Sequence, residues 1–162
     1  MNENKQIILG IDPGFGRMGF GVIRVDRDRV ELVATGVSTT PSGEEFAERL
    51  LNLSRDLTVL INKYQPDLVA IEKLFFAKNS QTAMKVAEAR GVTLVTLAQA
   101  GLKIVEFTPA QIKMAVTGDG KADKRAVQEM VQRLLRLERV PKPDDAADAL
   151  AVAITAIGSQ KW

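Results

Sequence analysis

The sequence predicts an α/β fold built on one mixed sheet. Three short strand-like runs open the chain, and the hydrophobic period then changes to helices that alternate with strands. Strands joined by tight turns pair antiparallel, whereas strands joined through a helix pair in parallel. We therefore expect a mixed five-stranded sheet, a three-strand antiparallel meander followed by parallel strands, with helices on both faces. The length and the lack of a linker predict a single domain over residues 1–162.

Turn residues bound the opening strands. The first run ends in Asp12-Pro13-Gly14, and a glycine-rich stretch leads into a second strand over 22–25. The polar stretch 26–29 predicts a hairpin turn into a third strand over 30–38. These turns are short enough to make the three strands neighbours in the sheet.

Two helices with different signals follow. Ser42 and Glu45 form a capping-box pattern before an apolar helical stripe that Pro66 ends. A second helix is expected over 80–98, with Gly91 in its interior. Glycine there costs about 1 kcal/mol relative to alanine, so its presence predicts close packing at that position.

The second half continues the alternation. Buried-type strands are expected over 68–71 and 103–107. Thr108 begins a run of cap, proline and glutamine that predicts a helix N-terminus, and Gly118 ends that helix. After a basic helix, the last helix is expected over 144–157.

Composition excludes several kinds of chemistry. The chain has neither histidine nor cysteine, so zinc sites built on those residues, Ser-His-Asp triads and disulfides are impossible. With 46% apolar and 26% charged residues the chain is typical of a globular protein, and its net charge of +2 permits a polyanionic partner. No targeting leader or membrane-length apolar run is evident, so we expect a cytoplasmic protein with no membrane partner.

Four carboxylates are difficult to explain as packing. Asp12 and Glu72 each stand where an apolar strand ends, which is the usual mouth for ligands on an α/β sheet. Asp145 and Asp148 are three residues apart at the start of an otherwise apolar helix, so they share one face. Spacing alone does not choose Asp145 over Asp144, since Asp144 and Asp148 also share a face.

This set of acids predicts a metal site. Mg²⁺ and Mn²⁺ prefer carboxylate and water oxygens, and Mg²⁺ keeps waters that it shares with substrate phosphates. Two such ions would activate a water and stabilise the leaving oxygen in phosphodiester hydrolysis, without any histidine. Each acid also has an ordinary explanation: Asp12 could hold a turn, Glu72 could pair with a neighbouring lysine, and the helical acids suit the helix dipole. The constellation is more informative than its members.

The motifs resemble those of the RuvC family of Holliday-junction resolvases. Residues 8–14 (ILGIDPG), 70–79 (AIEKLFFAKN) and 145–151 (DAADALA) resemble the family's three motifs, and the resemblance covers about residues 6–157. A departure is that Met18 stands where members usually have threonine, and Phe15 and Gly16 also differ from the common pattern.

The resemblance implies an RNase H-like fold and a homodimeric, Mg²⁺-dependent endonuclease that nicks four-way junction DNA symmetrically. It implies two ions per site, with Mn²⁺ able to substitute, and it selects Asp145 over Asp144 as the fourth catalytic and metal-binding acid beside Asp12, Glu72 and Asp148. Phe75 matches an aromatic that stacks at the opened crossover, and the helix carrying Gly91 would form the dimer interface. A RuvA–RuvB branch-migration complex is a further expected partner.

Charge patterning predicts where DNA lies. Residues 73–90 and 103–139 each carry a surplus of three positive charges, although solvated helix faces would give the same pattern. We expect Lys78 and Lys121 in these segments to contact DNA. Lys113 and Lys124 match lysines that the family uses at the scissile strand, either in binding or in chemistry. Of the two adjacent aromatic residues at 75 and 76, one would be exposed on an extended segment, or both would be core.

Three other functions remain open from the sequence. One is another RNase H-like nuclease that acts on RNA or RNA–DNA hybrids. The second is an actin-like nucleotide-binding protein that uses the Asp12 turn for phosphates, although 162 residues are too few for its two lobes. The third is a non-catalytic junction-binding module.

Overall fold

The computed structural model describes residues 5–73 and 81–160. In these residues, three strands come first, helices and strands then alternate, and three successive helices end the chain order, as expected. A short 3₁₀ turn, Gly158–Gln160, follows the last helix. The strands are β1 (Lys5–Asp12), β2 (Arg17–Asp26), β3 (Arg29–Thr39), β4 (Leu68–Glu72) and β5 (Lys103–Phe107). The helices are α1 (Phe46–Tyr64), α2 (Gln81–Gln99), α3 (Pro109–Thr117), α4 (Lys124–Leu134) and α5 (Asp144–Ile157).

The five strands form one mixed sheet in the order β3-β2-β1-β4-β5. The pairs β1–β2 and β2–β3 are antiparallel, and the pairs β1–β4 and β4–β5 are parallel. This confirms the predicted meander followed by parallel strands. It also brings the ends of β1 and β4 together at one edge of the sheet.

Helices cover both faces of the sheet, as predicted. Successive residues of β1 point to opposite sides, so Ile8 packs with α3, α4 and α5, whereas Leu9 packs with α1 and α2. Both side chains are fully buried. Each face therefore has its own apolar core, and β1 lies in the centre of both.

Glycines allow α5 to approach the sheet closely. A Cβ on Gly10 would lie 2.1 Å from the backbone oxygen of Ala149, and one on Gly19 would lie 2.1 Å from the backbone oxygen of Asp145. A side chain at either position would therefore force the helix away. This contact sets the distance between the end of β1 and the acids at the start of α5.

Two local expectations can be compared at helix N-termini. At α3 the capping box is confirmed, because Thr108 Oγ1 accepts from the Gln111 amide at 3.1 Å while the Gln111 side chain accepts from the Thr108 amide at 2.8 Å. At α1 the predicted box on Ser42 is wrong, since the helix begins later, at Phe46, and has no side-chain cap. The chain first makes a turn in which the Glu44 amide donates to the carbonyl of Pro41.

The predicted close packing at Gly91 is not found among residues 5–73 and 81–160. Nothing lies within 4 Å of the position where its Cβ would be. The departure at Met18 has a clear role, because its side chain is fully buried in the core beneath α1 and α2. Among the described residues, no helix is both long enough and apolar enough to cross a membrane.

Candidate active site

The predicted acids lie around the end of β1. Asp12 is its last residue, and Glu72 ends the parallel neighbour β4, one residue beyond the paired positions Ile11 and Ile71. Carboxylate oxygens of Asp12, Asp145 and Asp148 lie within 4.8 Å of one another. Side chains from β1, β4 and α5 are therefore brought to one edge of the sheet by the fold itself.

Asp144 differs from its neighbour Asp145. Its carboxylate lies 3.4 Å from the ammonium of Lys142 and 3.4 Å from that of Lys124, and half of its side chain is exposed. A hydrogen bond from Lys124, together with the charge of that lysine, lowers the pKa of Asp144. Asp144 is thus a surface acid paired with two lysines, whereas Asp145 belongs to the carboxylate cluster.

A cleft of about 210 Å³ opens beside the cluster. Glu72 and Asp148 lie on its wall together with two lysines, Lys113 of α3 and Lys124 of α4. Lys124 Nζ is 3.3 Å from Asp148 Oδ2. The cleft wall therefore combines carboxylates, which suit hard cations, with lysines, which suit an anionic group.

The pKa of Asp12 is raised from 3.8 to about 7. Burial is the largest cause, and repulsion from Asp148, Glu72 and Asp145 adds to it. The attraction of Lys124 opposes the rise without cancelling it. Lys124 therefore does not fully compensate the negative charge of the neighbouring acids at Asp12.

Glu72 and Asp148 follow the same pattern. Burial and then repulsion from Asp148 raise the pKa of Glu72, although Lys113 and Lys124 oppose the rise. Burial also raises the pKa of Asp148 in spite of its pairing with Lys124. Partial burial lowers the pKa of Lys124, but its contacts with Asp148 and Asp144 together raise it by more, so this lysine stays protonated.

These donors fit hard divalent cations. Carboxylate oxygens are the ligands that Mg²⁺ and Mn²⁺ prefer, and the spacing of three of them within 4.8 Å allows one ion to touch several. A cation with two charges would also relieve the repulsion that raises the pKa of Asp12. The chain offers no histidine or cysteine to favour a softer metal.

Two arginines at the site were not found by sequence reasoning. Arg17 Nε lies 3.0 Å from Asp145 Oδ2, so the first residue of β2 supplies a cation to an acid of α5. Arg90 donates to the backbone oxygen of Glu72 at 2.9 Å and pairs with Glu106. Arg90 contributes to the surplus of positive charge from which the sequence predicts DNA binding. In the structure its contacts hold the end of β4 in place. The only available signal for Arg17 was its position in the glycine-rich stretch that follows Asp12.

The remaining predicted site residues are not part of this cluster. Phe75, Phe76 and Lys78 lie outside the described residues. Lys121 lies in the loop before α4, on an open depression shared with Asp119 and Arg133 rather than on the cleft wall. Its predicted DNA contact stays a prediction.

Comparison with known proteins decides the family. The sequence model described as "Crossover junction endodeoxyribonuclease RuvC" matches residues 8–156. The protein of that name from Rubrobacter xylanophilus is 51% identical over 153 residues, covering 94% of this chain and 86% of the relative. The one from Roseiflexus sp. (strain RS-1) is 54% identical over 146 residues, covering 90% and 87%. The chain belongs to the RuvC family.

Solved RuvC structures have the same fold. The RuvC structure from Thermus thermophilus aligns with a TM-score of 0.85 at 34% identity and covers 92% of each chain. RuvC of the same organism in complex with Holliday junction substrate aligns with a TM-score of 0.87 at 34% identity, covering 93% of this chain and 92% of that one. The RNase H-like α/β fold implied by the resemblance is thereby confirmed.

Proposed function

We propose that this RuvC-family chain is a metal-dependent endodeoxyribonuclease that resolves four-way (Holliday) DNA junctions by paired, symmetric nicks in recombination and DNA repair. The observation that carries the proposal is the carboxylate cluster of Asp12, Asp145 and Asp148 at the edge of the sheet, with Glu72 on the adjoining cleft wall. Two comparisons support the choice of substrate. The relatives are crossover junction endodeoxyribonucleases by name, and the RuvC of Thermus thermophilus is solved in complex with Holliday junction substrate.

The four acids are proposed to hold two Mg²⁺ ions, for which Mn²⁺ substitutes. When bound, such ions would activate a water molecule and stabilise the leaving oxygen of a phosphodiester. Asp145 would keep its contact with Arg17, which fixes the orientation of its carboxylate. Asp148 is fixed in the same way by Lys124.

The lysines of the cleft are proposed to receive the DNA strand. Lys113 forms no ion pair with any residue among 5–73 and 81–160, so its ammonium is available to a phosphate. Phe75, Lys78 and Lys121 remain proposed DNA contacts, with Phe75 stacking at the crossover. These contacts would place the scissile phosphate between basic residues and the metal-binding acids.

Lys113→Gln is expected to reduce the salt dependence of junction binding. Loss of one phosphate contact lowers the slope of log K against log salt by about one. The slope is measured by fluorescence anisotropy in chelator, with Lys63→Gln on α1 as the control of equal charge change. An unchanged slope with slower cleavage would assign Lys113 to chemistry instead.

A homodimer is proposed because a four-way junction has two-fold symmetry, and paired cuts require two sites. The open space at Gly91 on α2 is consistent with a close approach by a second copy. A RuvA–RuvB branch-migration complex is a further proposed partner, and the cytoplasm is the proposed location.

Gly91→Ala tests that interface. In an isolated protomer the added methyl meets open space and stabilises the helix by about 1 kcal/mol. In a close-packed dimer it would cost about 1–3 kcal/mol, which weakens dimerisation by about fivefold to 150-fold. Sedimentation equilibrium measures the difference, with Gly43→Ala as control because its surroundings are also open. Equal dimer affinity in all three proteins would place the interface elsewhere.

A substrate and metal panel tests the function. Purified protein is incubated with a labelled four-way junction, linear duplex, RNA–DNA hybrid or single-stranded RNA, each with Mg²⁺, Mn²⁺, Ca²⁺ or chelator. The proposal expects nicking of the junction with Mg²⁺ or Mn²⁺ and none in chelator. Preference for the hybrid or RNA would favour the other RNase H-like nuclease, and junction binding without nicking would favour a binding module.

A further inference from the structure

Arg49 of α1 is a buried cation that has no counter-anion among residues 5–73 and 81–160. Its side chain is about nine-tenths buried. The only hydrogen bond of this side chain to the described residues runs from Nε to Thr40 Oγ1 at 3.2 Å. A buried charge is costly unless an opposite charge or hydrogen bonds compensate it. The terminal nitrogens of this guanidinium are left available for a ligand.

A second cation lies close to the first. Arg49 Cζ is 5.2 Å from the centre of the Phe15 ring, and Lys85 Nζ of α2 is 5.8 Å from the same centre. Lys85 also lies 5.5 Å from the Phe46 ring, which packs edge-on against Phe15 at 6.0 Å. Lys85 is exposed and likewise has no ion-pair partner in the described part of the chain. Two uncompensated cations around one aromatic pair attract an anion.

Gly16 allows the guanidinium to approach the backbone of the turn closely. A Cβ at this position would lie 2.9 Å from Arg49 Nη2. The turn itself is fixed, because the Thr40 amide donates to the Gly16 carbonyl at 3.1 Å and the Thr40 hydroxyl donates to the Phe15 carbonyl at 3.0 Å. Two of the three positions at which this chain departs from the common family pattern, 15 and 16, therefore supply the ring and the close backbone contact of this cluster.

We propose that Arg49 and Lys85 form a phosphate subsite for the bound DNA, outside the metal-binding cleft, and this inference rests on the proposed function. Phe15 follows Asp12 by three residues, so its Cα lies within about 11 Å of the Cα at the end of β1. At 3.4 Å per nucleotide of one strand, this backbone separation corresponds to about three nucleotides. The subsite holds the backbone of the DNA beside the cut, and it reads no base.

Phosphate neutralisation tests the subsite. Affinities are measured in chelator for a labelled four-way junction in which single phosphates near the crossover are replaced by methylphosphonates. We expect one replacement within about three nucleotides of the cut to weaken binding by the intact protein roughly tenfold. Arg49→Gln should show the same loss with unmodified DNA and no additional loss with that replacement. Arg55→Gln, an exposed arginine on the same helix, is the matched control and should retain the sensitivity.

Two further variants keep the test decisive if Arg49→Gln does not fold. Lys85→Gln changes an exposed residue, and Gly16→Ala crowds the guanidinium without removing a charge. Both should reduce the sensitivity to the same replacement. If sensitivity is the same in all variants, while Arg49→Gln only lowers the melting temperature, Arg49 merely packs the turn and the subsite is wrong. If the intact protein does not bind the junction, the proposed function fails first.

Discussion

Asp12→Asn is expected to abolish metal-dependent nicking while the protein still folds and binds junction DNA. Asparagine has the same shape as aspartate but lacks the charge that divalent ions require, and Asp12 is the acid at which the repulsion of the other three converges. Loss of this ligand should slow cleavage by roughly 10³-fold or more. Single-turnover cleavage of a labelled junction with saturating Mg²⁺ measures the effect.

Asp144→Asn is the matched control for that experiment. Asp144 is adjacent to the cluster and carries the same charge, but it pairs with Lys142 and Lys124 at the surface. Its replacement should leave cleavage within a few-fold of the original rate. Equal losses in Asp12→Asn and Asp144→Asn would mean that overall charge, rather than a ligand set, determines activity.

The metal-free protein is expected to become less stable as the pH rises from about 4 to about 7. The pKa of Asp12 is about 7 in the folded protein and near the ordinary 3.8 in the unfolded chain, so the folded state binds the proton more tightly. That contribution to stability is fully present below pH 4 and is lost as the pH rises through 7. The raised pKa values of Glu72 and Asp148 change the stability in the same direction.

Asp12→Asn should remove this dependence in large part. A shift from 3.8 to about 7 corresponds to at most about 4 kcal/mol, so in chelator at pH 8 the variant should be more stable than the original by up to that amount. Urea unfolding at pH 5 and pH 8, at one protein concentration, measures both effects. Added Mg²⁺ should stabilise the original protein at pH 8 and have little effect on the variant. A flat stability profile in chelator, identical in both proteins, would contradict the charge crowding described for the site.

Much of the sheet was predictable because local signals agreed with the fold. The turn at Asp12-Pro13-Gly14 and the change of hydrophobic period fixed the order of strands and helices. The capping box at Thr108 was confirmed because cap and proline act within one turn. The capping box predicted at Ser42 was wrong, because the helix begins later, at Phe46. The ring of Phe46 packs against Phe15, and a contact between residues so distant in sequence leaves no local signal.

The acids of the site could be predicted, but the cations around them could not. Strand ends and helical spacing place Asp12, Glu72 and Asp148 with little dependence on side-chain detail, whereas spacing left Asp144 and Asp145 open and the family resemblance selected Asp145. The contacts of Arg17 and Arg90 depend on long side chains that reach across elements, and no sequence period reports such contacts. Arg49 was likewise hidden: it lies on the buried stripe of α1, four residues before Leu53, but arginine side chains are mostly exposed, so its burial had no signal in the sequence.

Cleavage of a synthetic four-way junction with both opposed strands labelled tests the central claim most directly. The claim predicts nicks at symmetric positions in the two strands, in Mg²⁺ and not in chelator, that convert the junction to linear duplexes. It also predicts that Asp12→Asn binds the same junction and leaves it intact. Metal-independent nicking, or cleavage by Asp12→Asn at the rate of the original protein, would contradict the assignment of the four acids as the catalytic centre.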